Sequence, residues 1–306
     1  MADELGGVTL HCGDALEVLK ALPAGSVQTC VTSPPYYGLR DYNVSGQIGL
    51  EPTPAEYVAR LVAVFGEVRR VLRDDGTLWL NLGDSYASTG GANLNGNKGN
   101  PYSKDVRSAS FPDVKPKDLL GIPWMVAFAL RADGWYLRQD IVWSKPNPMP
   151  ESVRDRCTKA HEYLFLLSKK PSYYFDAEAI AEASAQPERA GTVENTFHSP
   201  NRAGAGRNDV GRQVLRTGTR NRRSVWTVTP TPFPGAHFAV MPPELVRPCV
   251  LAGCPAGGVV LDPFAGSGTT LAVAVEERRR AVGIELNPEY HALIRKRLRG
   301  TTPALV

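Results

Sequence analysis

Apolar runs of strand length alternate with amphipathic runs of helical period along most of this 306-residue chain. The predicted strands cover residues 8–12, 27–32, 77–82, 136–143, 162–168, 259–261 and 280–284. The predicted helices cover residues 15–22, 57–72, 122–133, 271–277 and 288–298. This alternation predicts a doubly wound α/β sheet with mostly parallel strands. The neighbouring strands 136–143 and 162–168 predict one antiparallel hairpin within the sheet.

Two long segments do not follow this pattern. Residues 85–118 are rich in Gly, Asn, Ser and Lys, and we expect a mobile loop there, since loops this long usually carry function or are disordered. Within residues 177–228, a stretch from Arg202 to Arg223 holds seven arginines and one acid, Asp209. Such a run cannot bury a core, so we expect it to be mobile without a polyanion. It predicts contacts with nucleic-acid phosphates; a plain flexible loop is the alternative.

The composition limits the class of protein further. Hydrophobic residues make up 42% and charged residues 22% of the chain, which is ordinary for a globular protein. The sequence contains no apolar run near the roughly 20 residues that a membrane span needs, and no signal peptide is visible at the N-terminus. Five scattered cysteines without a Cys-x-x-Cys pair predict reduced thiols, a cytoplasmic location and no metal site.

A Gly-rich turn, residues 262–270, follows the strand 259–261 and opens a helix. Its two glycines, Gly266 and Gly268, allow the backbone to bend sharply and approach a ligand closely. Turns of this kind bind nucleotide-like ligands at the carboxyl edge of α/β sheets. Asp262 can face a ligand ammonium group, and Glu285, at the end of the next strand, can accept hydrogen bonds from ribose hydroxyls. An adenosine cofactor is therefore predicted.

A second turn, Ser33-Pro34-Pro35-Tyr36, follows the strand 27–32 and is called the Pro-Pro turn below. The Ser33 hydroxyl and the Pro34 carbonyl can both accept hydrogen bonds from a planar amine. The prolines fix the backbone so that the two oxygens converge, and Tyr36 can stack on the face of a ring. Hydride transfer has no need of such a turn, which disfavours NAD as the cofactor.

The two turns together resemble those of the S-adenosylmethionine-dependent DNA amino-methyltransferases. That family carries (Asp/Asn/Ser)-Pro-Pro-(Tyr/Phe) as its catalytic motif and Asp-x-Phe-x-Gly-x-Gly as its cofactor motif, and the order found here is that of its permuted "beta" group. The resemblance implies a Rossmann-like methyltransferase fold with an inserted target-recognition region. It divides the chain into a catalytic half, residues 1–170, a target-recognition region, residues 171–230, and a cofactor-binding half, residues 231–306.

The resemblance also implies a role for individual residues. The implied catalytic residues are Ser33, Pro34, Pro35 and Tyr36. The implied S-adenosyl-L-methionine-binding residues are Asp14, Phe238, Ala239, Asp262, Phe264, Gly266, Gly268, Thr269 and Glu285. The implied DNA-binding residues are Lys145, Arg220, Arg222 and Arg223. For Asp14, an N-cap of the helix that follows is an equal alternative.

The expected substrate is an exocyclic amine of double-stranded DNA on a base flipped out of the helix. Serine at the position of Ser33 is common in the relatives that make N4-methylcytosine, so cytosine N4 is the expected target. Adenine N6 is the alternative target, and an inactive DNA-binding relative is a third interpretation. Cytosine C5 chemistry needs a Cys nucleophile after proline; Cys249 follows Pro248 but lies away from the catalytic turn and is expected to be buried packing. The existence of a cognate restriction endonuclease is left open. No membrane partner is expected, and we expect a monomer or weak dimer.

Overall fold

The structure is a computed structural model that describes residues 2–87, 114–184, 218–230 and 240–301. The strands are β1 (Ala2–Leu5), β2 (Val8–Cys12), β3 (Val27–Thr32), β4 (Leu72–Leu82), β5 (Tyr136–Ser144), β6 (His161–Ser168), β7 (Glu182–Ala183), β8 (Thr219–Arg220), β9 (Val225–Thr227), β10 (Val259–Asp262) and β11 (Arg280–Glu285). The helices are α1 (Ala15–Ala21), α2 (Pro54–Val71), α3 (Ile122–Ala132), α4 (Pro243–Gly253), α5 (Thr269–Glu276) and α6 (Pro288–Arg299).

Nine of these strands form one sheet in the order β1-β2-β11-β10-β3-β4-β6-β5-β9. Within this order the neighbouring strands β2, β11, β10, β3 and β4 run parallel to one another. Strand β6 is antiparallel to both of its neighbours, β4 and β5. The predicted α/β class, the mostly parallel sheet and the antiparallel pair are therefore confirmed. The sequence pattern missed β1, which pairs antiparallel with β2, and the three-residue β9, which adds to the far edge beside β5.

Local sequence signals explain where the longest helix begins. Helix α2 begins three residues before the predicted position, because Thr53 is its N-cap and Pro54 occupies its first turn. The Thr53 hydroxyl accepts a hydrogen bond from the Glu56 amide at 3.2 Å. Its apolar stripe, with Leu61 and Phe65 fully buried, packs on the sheet beside α1 and α3. The helix thereby packs on β4, which lies next to the strand that leads into the Pro-Pro turn.

Helix α4 precedes the strand that leads into the Gly-rich turn, and it contains Pro248 and Cys249. The Cys249 thiol is buried, at 1% exposure, and donates to the Leu245 carbonyl one helical turn earlier at 3.3 Å. The prediction that Cys249 serves packing is confirmed.

The chain divides into two compact units, one formed by Met1–Asp176 with Arg223–Val306 and the other by Ala177–Arg222. The second unit contains the two-stranded sheet of β7 and β8, where the Arg220 guanidinium pairs with Glu182 at 2.8 Å. Most of the predicted loop 85–118, and the arginine-rich run up to residue 217, lie outside the described residues. In the ranges that the structure covers, helices long and apolar enough to cross a membrane are absent.

The topology brings several strand ends together at one edge of the main sheet. Because β2, β3, β4, β10 and β11 are parallel, their carboxyl ends lie at the same edge. Strand β6 runs the opposite way, so its first residues, His161 and Glu162, reach that edge too. The Pro-Pro turn and the Gly-rich turn therefore lie side by side although they are far apart in the sequence.

Candidate active site

A cleft opens at the carboxyl edge of the main sheet and is called the central cleft below. Its empty space, counted with the part open to solvent, is about 1110 Å³. Its walls come from parts of the segments 13–15, 33–36, 39–48, 240–241, 262–270 and 284–290. Both turns singled out in the sequence therefore line one cleft, which is the position at which open α/β sheets bind ligands.

Asp262 ends β10 and anchors the Gly-rich turn. Its Oδ1 accepts hydrogen bonds from the Thr32 hydroxyl at 2.6 Å and from the Phe264 amide at 3.1 Å. The side chain is nearly inaccessible, at 2% exposure, yet the residue lines the central cleft. Burial raises the pKa of Asp262 to about 6, although the hydroxyls of Thr32 and Thr270 and the Phe264 amide act against that rise.

Glu285 ends β11 and connects that strand to the Gly-rich turn. Its Oε2 accepts from the Gly266 amide and its Oε1 from the Asn287 amide, both at 2.8 Å. Burial raises the pKa of the Glu285 carboxyl to about 7, while the backbone hydrogen bonds partly lower it. The carboxyl thus fixes the Gly-rich turn and also lines the central cleft.

The other residues predicted for cofactor binding fall into three groups. Phe264 and Thr269 line the central cleft. Asp14 lines the cleft too and also caps α1, since its Oδ1 accepts from the Glu17 amide at 3.1 Å, so the N-cap role is confirmed and the cofactor role stays a prediction. Gly268 is not among the lining residues; it is the N-cap of α5, with φ +78°, and a Cβ there would lie 3.0 Å from Ile294. Phe238 and Ala239 lie outside the described residues, while the next two residues line the cleft.

The Pro-Pro turn is held from behind by α2. The buried Tyr57 hydroxyl donates to the Pro35 carbonyl at 2.8 Å, and Ser33, Pro34, Pro35 and Tyr36 all line the central cleft. Among the described residues, no hydrogen bond is made to the Pro34 carbonyl oxygen. The Ser33 oxygen and the Pro34 oxygen are therefore available to accept hydrogens from a ligand amine.

The Tyr36 side chain is anchored at both its ring and its hydroxyl. The ring packs against Gly83, where a Cβ in place of a hydrogen would lie only 2.5 Å from the ring edge. The hydroxyl lies 2.6 Å from Glu162 Oε2 and 2.9 Å from Asn81 Oδ1, and it accepts from the Ser33 hydroxyl at 3.3 Å. Burial and the Glu162 carboxylate raise the pKa of Tyr36 well above its usual value, so the phenol stays neutral.

Glu162 lies at the centre of this network and was not predicted as a site residue. Its side chain is 14% exposed, accepts from Asn81 Nδ2 at 3.1 Å and forms an ion pair with Lys145. Lys145, predicted to bind DNA, is itself only 19% exposed, with its ammonium 4.3 Å from the centre of the Trp143 ring. The one signal in the sequence was the polar pair His161 and Glu162 at the start of an otherwise apolar strand. That pair could be assigned to the site only once β6 was known to run antiparallel to β4.

A second part of the site that was not predicted from the sequence is the wall formed by residues 39–48. Arg60 of α2 holds this segment from outside, donating to the carbonyls of Gly46 at 2.9 Å and Gln47 at 3.1 Å. Inside the segment, the Gln47 amide group binds the Tyr42 backbone amide at 2.7 Å and the Arg40 carbonyl at 3.0 Å. The wall is thus a fixed structure that joins the Pro-Pro turn to α2.

The charges on the walls favour a cationic ligand. Among the described residues that line the central cleft, Asp14, Asp262 and Glu285 are acidic and Arg40 alone carries a basic side chain. The Phe264 ring adds an apolar surface beside these carboxylates. Two carboxylates at strand ends, an aromatic ring and a glycine turn are the chemistry that an adenosine cofactor with an ammonium group requires.

The remaining predicted DNA-binding residues lie in both units. Arg220 is exposed and belongs to the second unit, where it pairs with Glu182. Arg222 is the last residue of that unit, and Arg223 is an exposed residue of the first. The Arg223 carbonyl accepts from the Trp226 indole at 2.7 Å, which fixes its backbone beside β9. The DNA contacts of these arginines stay predictions.

The fold and the central cleft together define a protein of the Rossmann-like α/β class in which the Pro-Pro turn and the Gly-rich turn line the same cleft. The particular family is shown by comparison: the sequence model described as DNA methylase, for the N6/N4 group, matches residues 27–296. The chain therefore belongs to the N4/N6 DNA methylase family, as the two motifs implied.

Similar proteins support this assignment over nearly the full chain. The Type II methyltransferase M.Cfr9I of Citrobacter freundii is 51% identical, over 97% of this chain and 89% of the relative. The Type II methyltransferase M.XycI of Xanthomonas campestris pv. cyanopsidis is 52% identical, with the same coverage. A Thermus thermophilus protein solved in complex with S-adenosyl-L-methionine is 27% identical, with a TM-score of 0.61 over 97% of this chain and 96% of that one.

One further solved structure supports the fold alone. The PvuII DNA methyltransferase, described as cytosine-N4-specific, has a TM-score of 0.64 over 98% of this chain and 88% of that one. The two sequences are only 18% identical. The likeness confirms the predicted Rossmann-like architecture.

Proposed function

We propose that this DNA methylase transfers a methyl group from S-adenosyl-L-methionine to the N4 amine of a cytosine flipped out of double-stranded DNA. The observation that carries the proposal is that the Pro-Pro turn and the Gly-rich turn line one cleft. In this proposal an amine-binding site would lie directly beside a cofactor site, and positioning the two reactants in this way would supply much of the catalytic effect.

The residues of the central cleft suit S-adenosyl-L-methionine. When bound, this cofactor supplies an electrophilic methyl group. Asp262 would face its ammonium group, Glu285 its ribose hydroxyls, and Phe264 its adenosine. The Gly266 backbone lets the Gly-rich turn pass close to the ligand, since φ there is +53°. The family and the cofactor-bound Thermus relative support the same choice.

The Pro-Pro turn would act on the amine of the target base. That amine is a poor nucleophile, because its lone pair is delocalised into the ring. The Ser33 and Pro34 oxygens would accept its two hydrogens and stabilise the positive charge that develops on nitrogen. The Tyr36 ring would stack on the base. A base inside a duplex cannot reach this cleft, so the target has to be flipped.

Cytosine N4 is proposed over adenine N6 because of Ser33. Serine at the first catalytic position is common in relatives that make N4-methylcytosine, whereas aspartate is usual for N6-methyladenine in the permuted group. The hydroxyl is a neutral acceptor, and the neighbouring acid Glu162 bonds to Tyr36 at 2.6 Å. Cytosine C5 chemistry is disfavoured, because the thiol that follows a proline, in Cys249, is buried in α4.

The proposal includes DNA contacts and partners. Residues 171–230 would form the target-recognition region, with Arg220, Arg222 and Arg223 on phosphates and Lys145 near the target base. The catalytic and cofactor-binding halves would be residues 1–170 and 231–306. Because the relatives reported above are called Type II methyltransferases, a cognate restriction endonuclease is part of the proposal. The enzyme would work in the cytoplasm as a monomer or weak dimer.

Mass spectrometry of nucleosides tests this function directly. Double-stranded DNA is incubated with the protein and methyl-labelled S-adenosyl-L-methionine, then digested. We expect labelled N4-methylcytosine, no 5-methylcytosine, and no covalent adduct on DNA that contains 5-fluorocytosine. Labelled N6-methyladenine would overturn the choice of base, a trapped adduct would overturn the mechanism, and unlabelled DNA would overturn the function.

A further inference from the structure

We infer that Glu162 is the final acceptor of the proton that the target amine loses, and that this proton travels through Ser33 and Tyr36. The inference rests on the proposed function, since it concerns the same methyl transfer. It assigns a role to the hydrogen bonds that link Ser33, Tyr36 and Glu162. Stacking on the base and holding its amine do not require these bonds.

The chain of hydrogen bonds has a direction. The Ser33 hydroxyl donates to the Tyr36 hydroxyl oxygen at 3.3 Å, and the Tyr36 hydroxyl in turn lies 2.6 Å from Glu162 Oε2. A phenol has one proton to donate, and Asn81 Oδ1 competes for it at 2.9 Å. The shorter contact, to a charged acceptor, is the stronger of the two. Each hydroxyl therefore donates toward Glu162, which is the orientation that a proton relay away from the cleft needs.

The carboxylate at the end of the relay is held in place by its neighbours. Lys145 forms an ion pair with Oε1, and Asn81 Nδ2 donates to Oε2 at 3.1 Å. Asn81 is itself fixed, because the same amide group donates to the Tyr163 carbonyl at 3.1 Å. The Glu162 side chain is 14% exposed, so it is shielded during the reaction and still able to return a proton to solvent afterwards.

In the proposed step, the proton that the amine releases ends on Glu162. The amine lone pair forms a bond to the methyl carbon, and nitrogen becomes positively charged. The electron pair of the broken carbon–sulfur bond stays on the cofactor sulfur. One N–H bond then breaks with its electron pair remaining on nitrogen. Ser33 Oγ takes that proton while its own proton passes to Tyr36 Oη, and the phenol proton passes to Glu162 Oε2. The product amine is neutral, both hydroxyls are restored and Glu162 is a carboxylic acid. Tyr36 never becomes a phenolate, in keeping with its raised pKa.

Two near-isosteric variants and their combination test the relay. In Glu162→Gln the amide oxygen can still accept from Tyr36 but cannot take a proton, and in Tyr36→Phe the ring still stacks but the relay is cut. Under single-turnover conditions with saturating cofactor and DNA, we expect each variant to slow methyl transfer about 100-fold. The double variant should be no slower than either single one, because both changes break the same chain.

A second measurement separates proton acceptance from positioning. Glu162→Ala should regain transfer as formate is added, because a small carboxylate can occupy the vacated space and accept the proton. Cofactor affinity should stay at the wild-type value in all these variants. Glu67→Gln is the matched control, since it removes a carboxylate that pairs with Arg70 on α2, away from the central cleft, and it should transfer at the wild-type rate.

The outcomes distinguish this inference from the proposed function. Wild-type transfer rates in Glu162→Gln or in Tyr36→Phe would overturn the relay while leaving the methyltransferase intact. Additive losses in the double variant, or no response of Glu162→Ala to formate, would leave Glu162 with a positioning role only and would overturn the relay as well. Absence of transfer by the wild type and by Glu67→Gln would remove the proposed function and the relay together.

Discussion

Thr32 and Asp262 lie 230 positions apart in the sequence, yet the Thr32 hydroxyl donates to Asp262 Oδ1 at 2.6 Å inside the main sheet. Thr32 is the last residue of β3 and directly precedes the Pro-Pro turn; Asp262 is the last residue of β10 and begins the Gly-rich turn. Both side chains are buried. This hydrogen bond therefore joins the two turns, so that the core would fix the distance between the proposed amine site and the proposed cofactor site.

Replacing Thr32 with Val should weaken both the fold and the cofactor site. The change removes a hydroxyl partner from a buried carboxyl, which should lower the free energy of unfolding by about 1–3 kcal/mol. Chemical denaturation measures this loss, and calorimetry should show weaker cofactor binding. Thr9→Val is the control, because its hydroxyl bonds to Glu4 at the surface and its loss should cost under about 0.5 kcal/mol. Equal effects of the two variants would contradict a special role for the Thr32 bond.

Cofactor affinity should rise with pH. Burial raises the pKa of Glu285 to about 7 and that of Asp262 to about 6, so both carboxyls are largely protonated in the folded protein at mildly acidic pH. A ligand that offers hydroxyls and an ammonium group favours the ionised carboxyls, so affinity should increase between about pH 5 and pH 8. Calorimetry in buffers of different ionisation enthalpy should detect proton release on binding.

The same two groups predict the opposite trend for the stability of the ligand-free protein. An acid with a raised pKa binds more protons in the folded state than in the unfolded state, here between about pH 4 and pH 7. The contribution of Glu285 and Asp262 to the free energy of unfolding should therefore fall as the pH rises through that window. Glu285→Gln should flatten both pH profiles, whereas Glu289→Gln, at an exposed position of α6, should leave them as they are.

Ser33→Ala should retain cofactor binding and lose most of its methyl transfer. Removing one preorganised acceptor should raise the barrier by about 3 kcal/mol, a loss of roughly 100-fold in rate. Tyr36→Ala should behave similarly, because it removes the stacking ring. Single-turnover rates and calorimetry on the same preparations provide the two readouts. Wild-type rates in both variants would show that the Pro-Pro turn does not touch the target base.

Gly83→Ala should slow methyl transfer by displacing the Tyr36 ring. A Cβ at this position would lie 2.5 Å from the Tyr36 ring, so the ring must move out of its position above the backbone. We expect slow transfer with unchanged cofactor affinity. Gly66→Ala is the control: it lies inside α2, its Cβ would have space, and it should stabilise the helix by up to about 1 kcal/mol without affecting transfer. A fully active Gly83→Ala enzyme would show that the ring position is not critical.

Reversing the charges of Arg220, Arg222 and Arg223 to Glu should weaken DNA binding and reduce its dependence on salt. Each lost phosphate contact lowers the slope of log affinity against log salt by about one. Fluorescence anisotropy between low and moderate salt measures this slope. Lys296→Glu is the control, because it reverses a charge on α6, outside the proposed target-recognition region. An unchanged slope in the triple variant would leave the three arginines without an electrostatic role.

The class of fold and both functional turns could be predicted from the order of the amino acids. Apolar runs of strand length predicted β2, β3, β10 and β11, and amphipathic runs of period 3.6 predicted α1 and α5, because burial on a sheet depends mainly on the local pattern. Helix α4 was not predicted. Glycine at 266 and proline at 34 and 35 carry their backbone constraints with them, so these turns could be identified without the partners that they meet in the fold.

The distant residues that complete the site could be identified only from the folded chain. Glu162 reaches Tyr36 only because β6 runs antiparallel to β4, and that pairing depends on contacts between strands some 80 residues apart. The wall of residues 39–48 owes its position to Arg60, and Gly83 faces Tyr36 only once β3 and β4 lie side by side. Local patterns fix the elements, whereas long-range hydrogen bonds and close packing fix the distances between them, and these distances determine which side chains can act together.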